Sequence, residues 1–254
     1  MNLLILAAGY ATRLYPLTLT QPKPLLPVAG KPMINHVLDN LATIEGLDRA
    51  FVVTNAKFTG HFEQWAGAYH ASHPKLSITI VNDGSTDDAN KLGAIGDVCF
   101  VLEKEKLAED LVVVAGDNLF SHDLRDFGAY CREKNTPVLG VRDVGDLELV
   151  KRYSVVEVDQ NSRITLFEEK PKQPTSTLSG IALYYYPRTT LPLIRQYVRE
   201  GNNPDQPGRL IEWLYPRVAV HVWTVPGTWY DIGSTETLEE ANRKFAQLTD
   251  QTVG

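Results

Sequence analysis

Short apolar runs alternate along the first half of the chain with stretches whose apolar residues recur at helical spacing, and this order leaves few folds open. The runs cover residues 2–8, 49–55, 76–82, 110–116 and 137–141. The first and fourth are almost uninterrupted, as in strands covered on both faces. Between the runs, Met33, Val37, Leu38 and Leu41 share one helical face, and Phe58, Phe62, Trp65, Ala66 and Tyr69 share another. A β-α-β-α order predicts an α/β fold: a doubly wound, mostly parallel, Rossmann-like mixed sheet flanked by helices. Ligands of such sheets bind beyond the carboxyl ends of the strands.

Past about residue 145 the pattern changes. Segments 153–159, 163–169 and 180–187 read as closely spaced strands and hairpins, with the turn DQNSR between the first two. They predict a small β-rich subregion forming a substrate wall. Helices follow near 191–200 and 209–215, then a strand over 218–225 and a final helix over 235–248, with Ser234 or Thr235 as its N-cap. No repeat, low-complexity tract or long linker interrupts the 254 residues, a length that suits one large α/β domain.

Residues 9–32, GYATRLYPLTLTQPKPLLPVAGKP, show neither period. Aperiodic loops beyond about 12–15 residues are uncommon inside a compact domain and tend to be functional or disordered. Its apolar content and backbone-restricting prolines favour function. Gly9, where the first strand ends, lets a ligand approach the backbone and its N–H donors. Arg13 offers a planar fork for phosphate oxygens, and Lys23 is directed by Pro22 and Pro24 on either side. Each residue taken alone fits a solvated loop equally well.

Familiar alternatives are absent. The string G-Y-A-T-R-L is not G-x-G-x-x-G, and the chain has no P-loop, no G-x-S-x-G and no H-E-x-x-H. The six histidines show no metal spacing, and His61 and His70 are expected on the solvated side of a helix. Cys99 and Cys131 read as reduced structural thiols within helices. A net charge of −6 argues against a general nucleic-acid binder. A polyanionic small molecule would need local Lys or Arg and a metal ion. No segment reaches the ~18 apolar residues of a membrane span, and the first nine residues lack the basic flank of a signal peptide. A cytoplasmic protein without membrane contact is expected.

The residues of the aperiodic loop carry a resemblance. LAAGYATRLYPLT followed by QPKPLLPVAGKPM resembles the N-terminal motif of the sugar-1-phosphate nucleotidylyltransferases, the nucleotide-sugar pyrophosphorylases typified by glucose-1-phosphate thymidylyltransferases. Three later stretches are similar to family motifs in the same order: VVVAGDN (112–118), FEEKP (167–171) and GTWYDIGS (227–234). The match runs from residue 2 to about residue 240, and four motifs in register are specific where one would be weak.

The resemblance implies Mg²⁺-dependent nucleotidylyl transfer from a nucleoside triphosphate to a sugar 1-phosphate, giving an NDP-sugar and pyrophosphate. The substrate's own phosphate is then the nucleophile, so no activated Ser or Cys and no strong base is required. By resemblance, Leu6, Ala7, Ala8, Gly9, Tyr10 and Ala11 meet the nucleotide, and Arg13 and Lys23 hold the triphosphate and stabilise the transferring group. Asp117 and Asp231 bind Mg²⁺. Lys170 grips the incoming phosphate, Glu169 contacts the sugar, and Asn118 and Gly180 lie on the same substrate side. Residues 1–145 would form a nucleotide-binding half and 146–254 a sugar-binding half with the C-terminal helix, all within one domain. The partners would be these two small molecules, with no nucleic acid. Many relatives are dimers or tetramers, so a homo-oligomer is also among the expectations.

Three departures bear on this reading. Ala11 replaces a family glycine, which is tolerable at negative φ and costly at positive φ. The base-reading region, residues 81–98, is longer and more polar than in thymidylyl and uridylyl members. Gly93 stands in for that region's glycine, and Asn82, Asp83 and Thr86 stay open as base readers. The sugar-side stretch PGRLIEWL (207–214) also departs, although Glu212 could still meet a sugar hydroxyl. A phosphonate or choline phosphate acceptor therefore stays open beside a sugar phosphate. A non-catalytic nucleotide-sugar sensor is disfavoured because Lys23, Asp117, Lys170 and Asp231 are all present. A metal-dependent glycosyltransferase is disfavoured because GDN is not D-x-D.

Overall fold

The computed structural model describes residues 1–252, with side chains described through residue 248. In chain order the early elements are β1 (Asn2–Leu6), β2 (Pro27–Val28), β3 (Lys31–Pro32), α1 (Met33–Leu41), β4 (Arg49–Thr54), α2 (Thr59–Ser72) and β5 (Ser77–Asn82). Next come α3 (Ala94–Lys104), β6 (Leu111–Ala115), β7 (Asn118–Phe120), α4 (Arg125–Lys134), β8 (Val138–Asp143), α5 (Leu147–Val150), β9 (Ser154–Val158) and β10 (Ile164–Glu169). The last are β11 (Leu178–Tyr186), α6 (Leu191–Arg199), α7 (Pro207–Leu214), β12 (His221–Thr224), β13 (Trp229–Asp231) and α8 (Thr235–Thr252). The long runs become strands within one or two residues of their expected bounds. The expected strand over 218–225 is confined to its centre, His221–Thr224.

These elements form two interleaved compact units. The first holds Met1–Asn2, Leu92–Val114 and Phe127–Val225, and the second holds Leu3–Lys91, Ala115–Asp126 and the chain from Pro226 onward.

In the second unit the strands run in the order β1-β4-β5, with β4 and β5 parallel. Leu3, Leu4 and Ile5 are fully buried, as expected of a strand covered on both faces. Helix α1 buries Met33, Val37, Leu38 and Leu41, and α2 buries Phe62, Trp65 and Tyr69 while His61 and His70 stay exposed. Two short antiparallel pairs complete this unit: β2 with β3, and β7 with β13. Ser234 caps α8, its Oγ accepting from the Thr237 N–H at 3.3 Å, while the Thr237 hydroxyl oxygen accepts from the Ser234 N–H at 3.0 Å.

In the first unit the order is β12-β8-β11-β6. Strands β12 and β8 are parallel, and β11 is antiparallel to both β8 and β6, which makes the sheet mixed. The register of β11 against β8 shifts between Gly180 and Tyr184. Strands β9 and β10 form the expected hairpin, and the Asp159 carboxylate accepts from the N–H groups of Asn161 and Arg163 to close its turn. Cys99 on α3 and Cys131 on α4 are buried free thiols. Among the described residues no helix is long and apolar enough to cross a membrane.

Candidate active site

The aperiodic loop folds as two single-turn 3₁₀ segments, Thr12–Leu14 and Lys23–Leu25, rather than as coil. Lys23 opens the second and is only 9% exposed. Its ammonium donates to Asp117, two residues past the end of β6. Gly116 makes this meeting possible. A β-carbon there would lie 3.1 Å from Pro24 Cγ and 3.2 Å from Ile5 Cγ2, so the proline turn packs directly on the strand end.

Asp117 is fixed from its other side. The Asn118 side-chain amide donates to Asp117 Oδ1 at 3.2 Å, and Trp229 Nε1–H donates to Asn118 Oδ1 at 2.7 Å. Asp231 faces Asn118 across the β7/β13 ribbon. Burial pushes the Asp231 carboxyl up to about 6 and the Asp117 charge adds to this, while Lys23 and Arg13 oppose it. Burial also works against ionised Asp117, but Lys23, the Asn118 amide and a backbone hydrogen bond together outweigh it and hold that carboxyl below its ordinary range. The result is a cluster of two carboxylates and a buried lysine, in which Asp231 keeps its proton to a higher pH than Asp117 does. Arg13 completes the cluster: a β-carbon on Gly233, two residues past Asp231, would sit 3.8 Å from its Nη1. Among the described residues no group of three or more His, Cys, Asp or Glu gathers as a metal site.

The backbone expected to meet the nucleotide is organised by a residue that the sequence did not single out. Asn55 is fully buried past the end of β4. Its side-chain N–H donates to the Ala8 carbonyl at 2.9 Å, and its Oδ1 accepts from the Phe58 N–H at 3.1 Å. The Ala7 N–H reaches Val53 O at 2.9 Å, and Leu6 O accepts from the Gly116 N–H at 3.0 Å. Tyr10 is buried, whereas Gly9 is exposed and has no atom within 4 Å of where a β-carbon would be. Ala11 adopts φ 47° and ψ 44°, the costly case for a replaced glycine. Of the open base readers, Asp83 is spent within its own turn, accepting from Ser85 N–H and Oγ–H at 2.7 and 2.8 Å. Thr86 is tied to Asn90, whose side-chain N–H donates to its hydroxyl oxygen at 2.9 Å. Asn82 Oδ1 accepts from the Gly84 N–H at 2.8 Å.

Of the residues expected to meet the acceptor, Glu169, Lys170, Gly180 and Glu212 lie in the first unit and Asn118 in the second. Burial pushes the Glu169 carboxyl up to about 7, with Lys170 and Arg209 opposing and Glu212 reinforcing. Arg209 Nη1–H donates to Glu212 Oε2 at 2.8 Å. Gly208, at the second position of α7, makes room for Glu169: a β-carbon there would lie 1.9 Å from its Oε2. A glycine inside a short helix is the sequence signal that could have revealed this contact. Lys170 has φ 52°, and its N–H bonds Tyr153 O at 2.8 Å. The Gly180 N–H bonds Ser154 Oγ at 3.0 Å. Gly93, with φ 80°, caps α3, and a β-carbon on it would come within 2.7 Å of Asp205 Cα. That glycine is demanded by conformation and by close packing.

Three comparisons bear on this arrangement. The family model described as "Nucleotidyl transferase" matches residues 2–248. The bifunctional protein GlmU of Methanocaldococcus jannaschii is 26% identical over 96% of this chain and 54% of its own length. The UTP–glucose-1-phosphate uridylyltransferase of Synechocystis sp. is 28% identical over 96% of this chain and 63% of its own length. The chain thus spans between half and two thirds of these curated relatives. A solved UDP-glucose pyrophosphorylase complexed with UDP-glucose superposes with a TM-score of 0.80 at 22% identity, covering 97% of this chain and 98% of that one, and supports the fold.

Proposed function

Because the chain belongs to the nucleotidyl transferase family, we propose that it transfers a nucleotidyl group from a nucleoside triphosphate to a sugar 1-phosphate, with Mg²⁺, releasing pyrophosphate and an NDP-sugar. The observation that carries this is the cluster of Lys23, Asp117, Asp231 and Arg13, in the same unit as an exposed, side-chain-free Gly9. It supplies cations for phosphate oxygens and carboxylates for a hard metal ion, and it contains no nucleophile of its own.

Each residue has a chemical task in this reading. The acceptor phosphate attacks the α-phosphorus, and the bond to the pyrophosphate leaving group breaks. Arg13 and Lys23 neutralise charge that grows on the phosphate oxygens during this exchange. The backbone of Leu6 to Ala11 receives the nucleoside, with Asn82 and Gly93 on its base side. Glu169, Lys170, Gly180, Asn118 and Glu212 receive the acceptor. Burial, with the Asp117 charge reinforcing it, raises the Asp231 carboxyl, and a cation held between the two carboxylates would oppose both effects. Two hard oxygen donors of this kind fit Mg²⁺, whose remaining positions suit phosphate oxygens and water. When bound, the ion supplies further neutralisation of the phosphates. A reaction consuming free nucleoside triphosphate suits the cytoplasm.

A pyrophosphate-release screen tests the proposal by crossing common nucleoside triphosphates with sugar 1-phosphates, phosphonates and choline phosphate. At least one sugar 1-phosphate pair is expected to turn over, with activity lost in excess chelator. Lys23→Ala and Asp231→Ala should each lower kcat/KM by at least ~10²-fold while the folded circular dichroism spectrum is kept. Near-normal turnover in either folded variant would sink the assignment. Silence of the wild type toward every pair would favour a nucleotide-sugar sensor.

A further inference from the structure

We propose that the first unit carries a second anion site, for a small molecule bearing a phosphate or pyrophosphate group, built by Lys106, Arg188 and Arg195. These three side chains line one recess of about 500 Å³. None belongs to the reaction site described above. In a chain of net charge −6, three cations share this wall with a single lining carboxylate, Glu103. That carboxylate accepts a weak hydrogen bond from the Cys99 thiol at 3.8 Å.

Ion pairs inside the protein do not account for the cations: among the described residues none of the three has an ion-pair partner. The neighbouring Asp110 is already engaged, accepting from the Tyr185 hydroxyl and the Arg188 backbone N–H, both at 2.9 Å. The Arg188 guanidinium is not used in that contact. Arg195 is steadied by donating from Nη2 to Leu102 O at 3.4 Å. Lys106 stands on a backbone with φ 52°, a conformation that L residues with a β-carbon rarely adopt, and projects from the tight turn after α3. Helix α6 begins at the recess, where Leu191 and Pro192 line it, so its positive end adds to the same field.

Unpaired arginines in a concave site of this size are suited to bidentate contact with phosphate oxygens. The volume is that of a small-molecule site. The acidic balance of the whole chain opposes an extended nucleic acid, so a free phosphorylated metabolite is the favoured occupant.

Calorimetric titration with inorganic pyrophosphate and, separately, inorganic phosphate, in metal-free buffer, tests the site. The Lys23→Ala protein is the starting point, because it weakens binding at the reaction site. Pyrophosphate is expected to bind Lys23→Ala, and adding Arg188→Gln with Arg195→Gln should weaken that binding at least ~10-fold, the scale of lost charge-assisted bonds. Equal binding within about 2-fold before and after the arginine changes, or no binding to Lys23→Ala at millimolar pyrophosphate, overturns the proposal. Should the arginine variant lose its cooperative melt, Lys106→Ala at an exposed position decides the matter, with a weakening of at least ~3-fold expected and no change counting against the site. Identical pyrophosphate binding by wild type and Lys23→Ala would count against Lys23 in the reaction site alone, because the arginine comparison does not depend on it.

Discussion

Ala11 keeps a left-handed backbone although its β-carbon resists it. The conformation costs such a residue about 1–2 kcal/mol. Its carbonyl shows what holds it there: the Leu14 N–H donates to it at 3.0 Å and the Thr18 hydroxyl at 2.8 Å. These two bonds close the loop that carries Arg13, so the strain is local to the proposed triphosphate grip. Ala11→Gly should relieve it, set against the greater chain entropy of glycine, for a net gain of about 0.5–1 kcal/mol. Urea unfolding with an unchanged m-value measures this. A lower midpoint in the variant would show that the methyl group packs usefully at that position. The sequence located the substitution and framed both outcomes, but φ depends on how the loop closes on Thr18, seven residues away.

At the scale of elements, the site depends on how strand ends are tied together. Asn55 joins the end of β4 to the Ala8 carbonyl and caps the Phe58 N–H, so one buried amide positions the backbone that follows β1. Asn55→Ala leaves that carbonyl buried without its donor and should destabilise the protein by about 1–3 kcal/mol. If Asn55 positions the nucleotide-side backbone, KM for the nucleoside triphosphate should rise more than kcat falls. A variant that melts earlier but keeps wild-type KM would reduce Asn55 to a structural role. The β7/β13 ribbon acts similarly, bringing Asp231 opposite Asn118 while Trp229 holds the Asn118 side chain. Strands of three residues are too short to show a period-2 pattern, so the ribbon was not legible. The motifs at its two ends were, because GDN and WYD mark chemistry rather than periodicity.

For the molecule as a whole, Glu169 links site chemistry to folding stability. Its carboxyl titrates near 7 in the folded chain, against an ordinary value of 4.5. The folded state therefore binds this proton more tightly than the unfolded state does. The resulting penalty is absent below about pH 4.5, grows as pH rises from there to about 7, and is complete above that. Glu169→Gln should accordingly melt at higher temperature than wild type above pH 7, with the gap closing toward pH 4.5. Melting curves across that range test it, and a gap independent of pH would contradict the assigned cause. By itself the sequence determined the strand and helix alternation, because burial imposes periods of 2 and 3.6 that survive in any packing. It also determined which residues carry charge at the proposed site. Only the tertiary structure decided that the chain divides into two interleaved units, that Ala11 has positive φ, that Gly208 makes room for Glu169, and that Lys106, Arg188 and Arg195 share one recess. The Ala11 backbone rests on how its loop closes on Leu14 and Thr18, and the others on contacts between residues distant along the chain; periodicity carries no record of either.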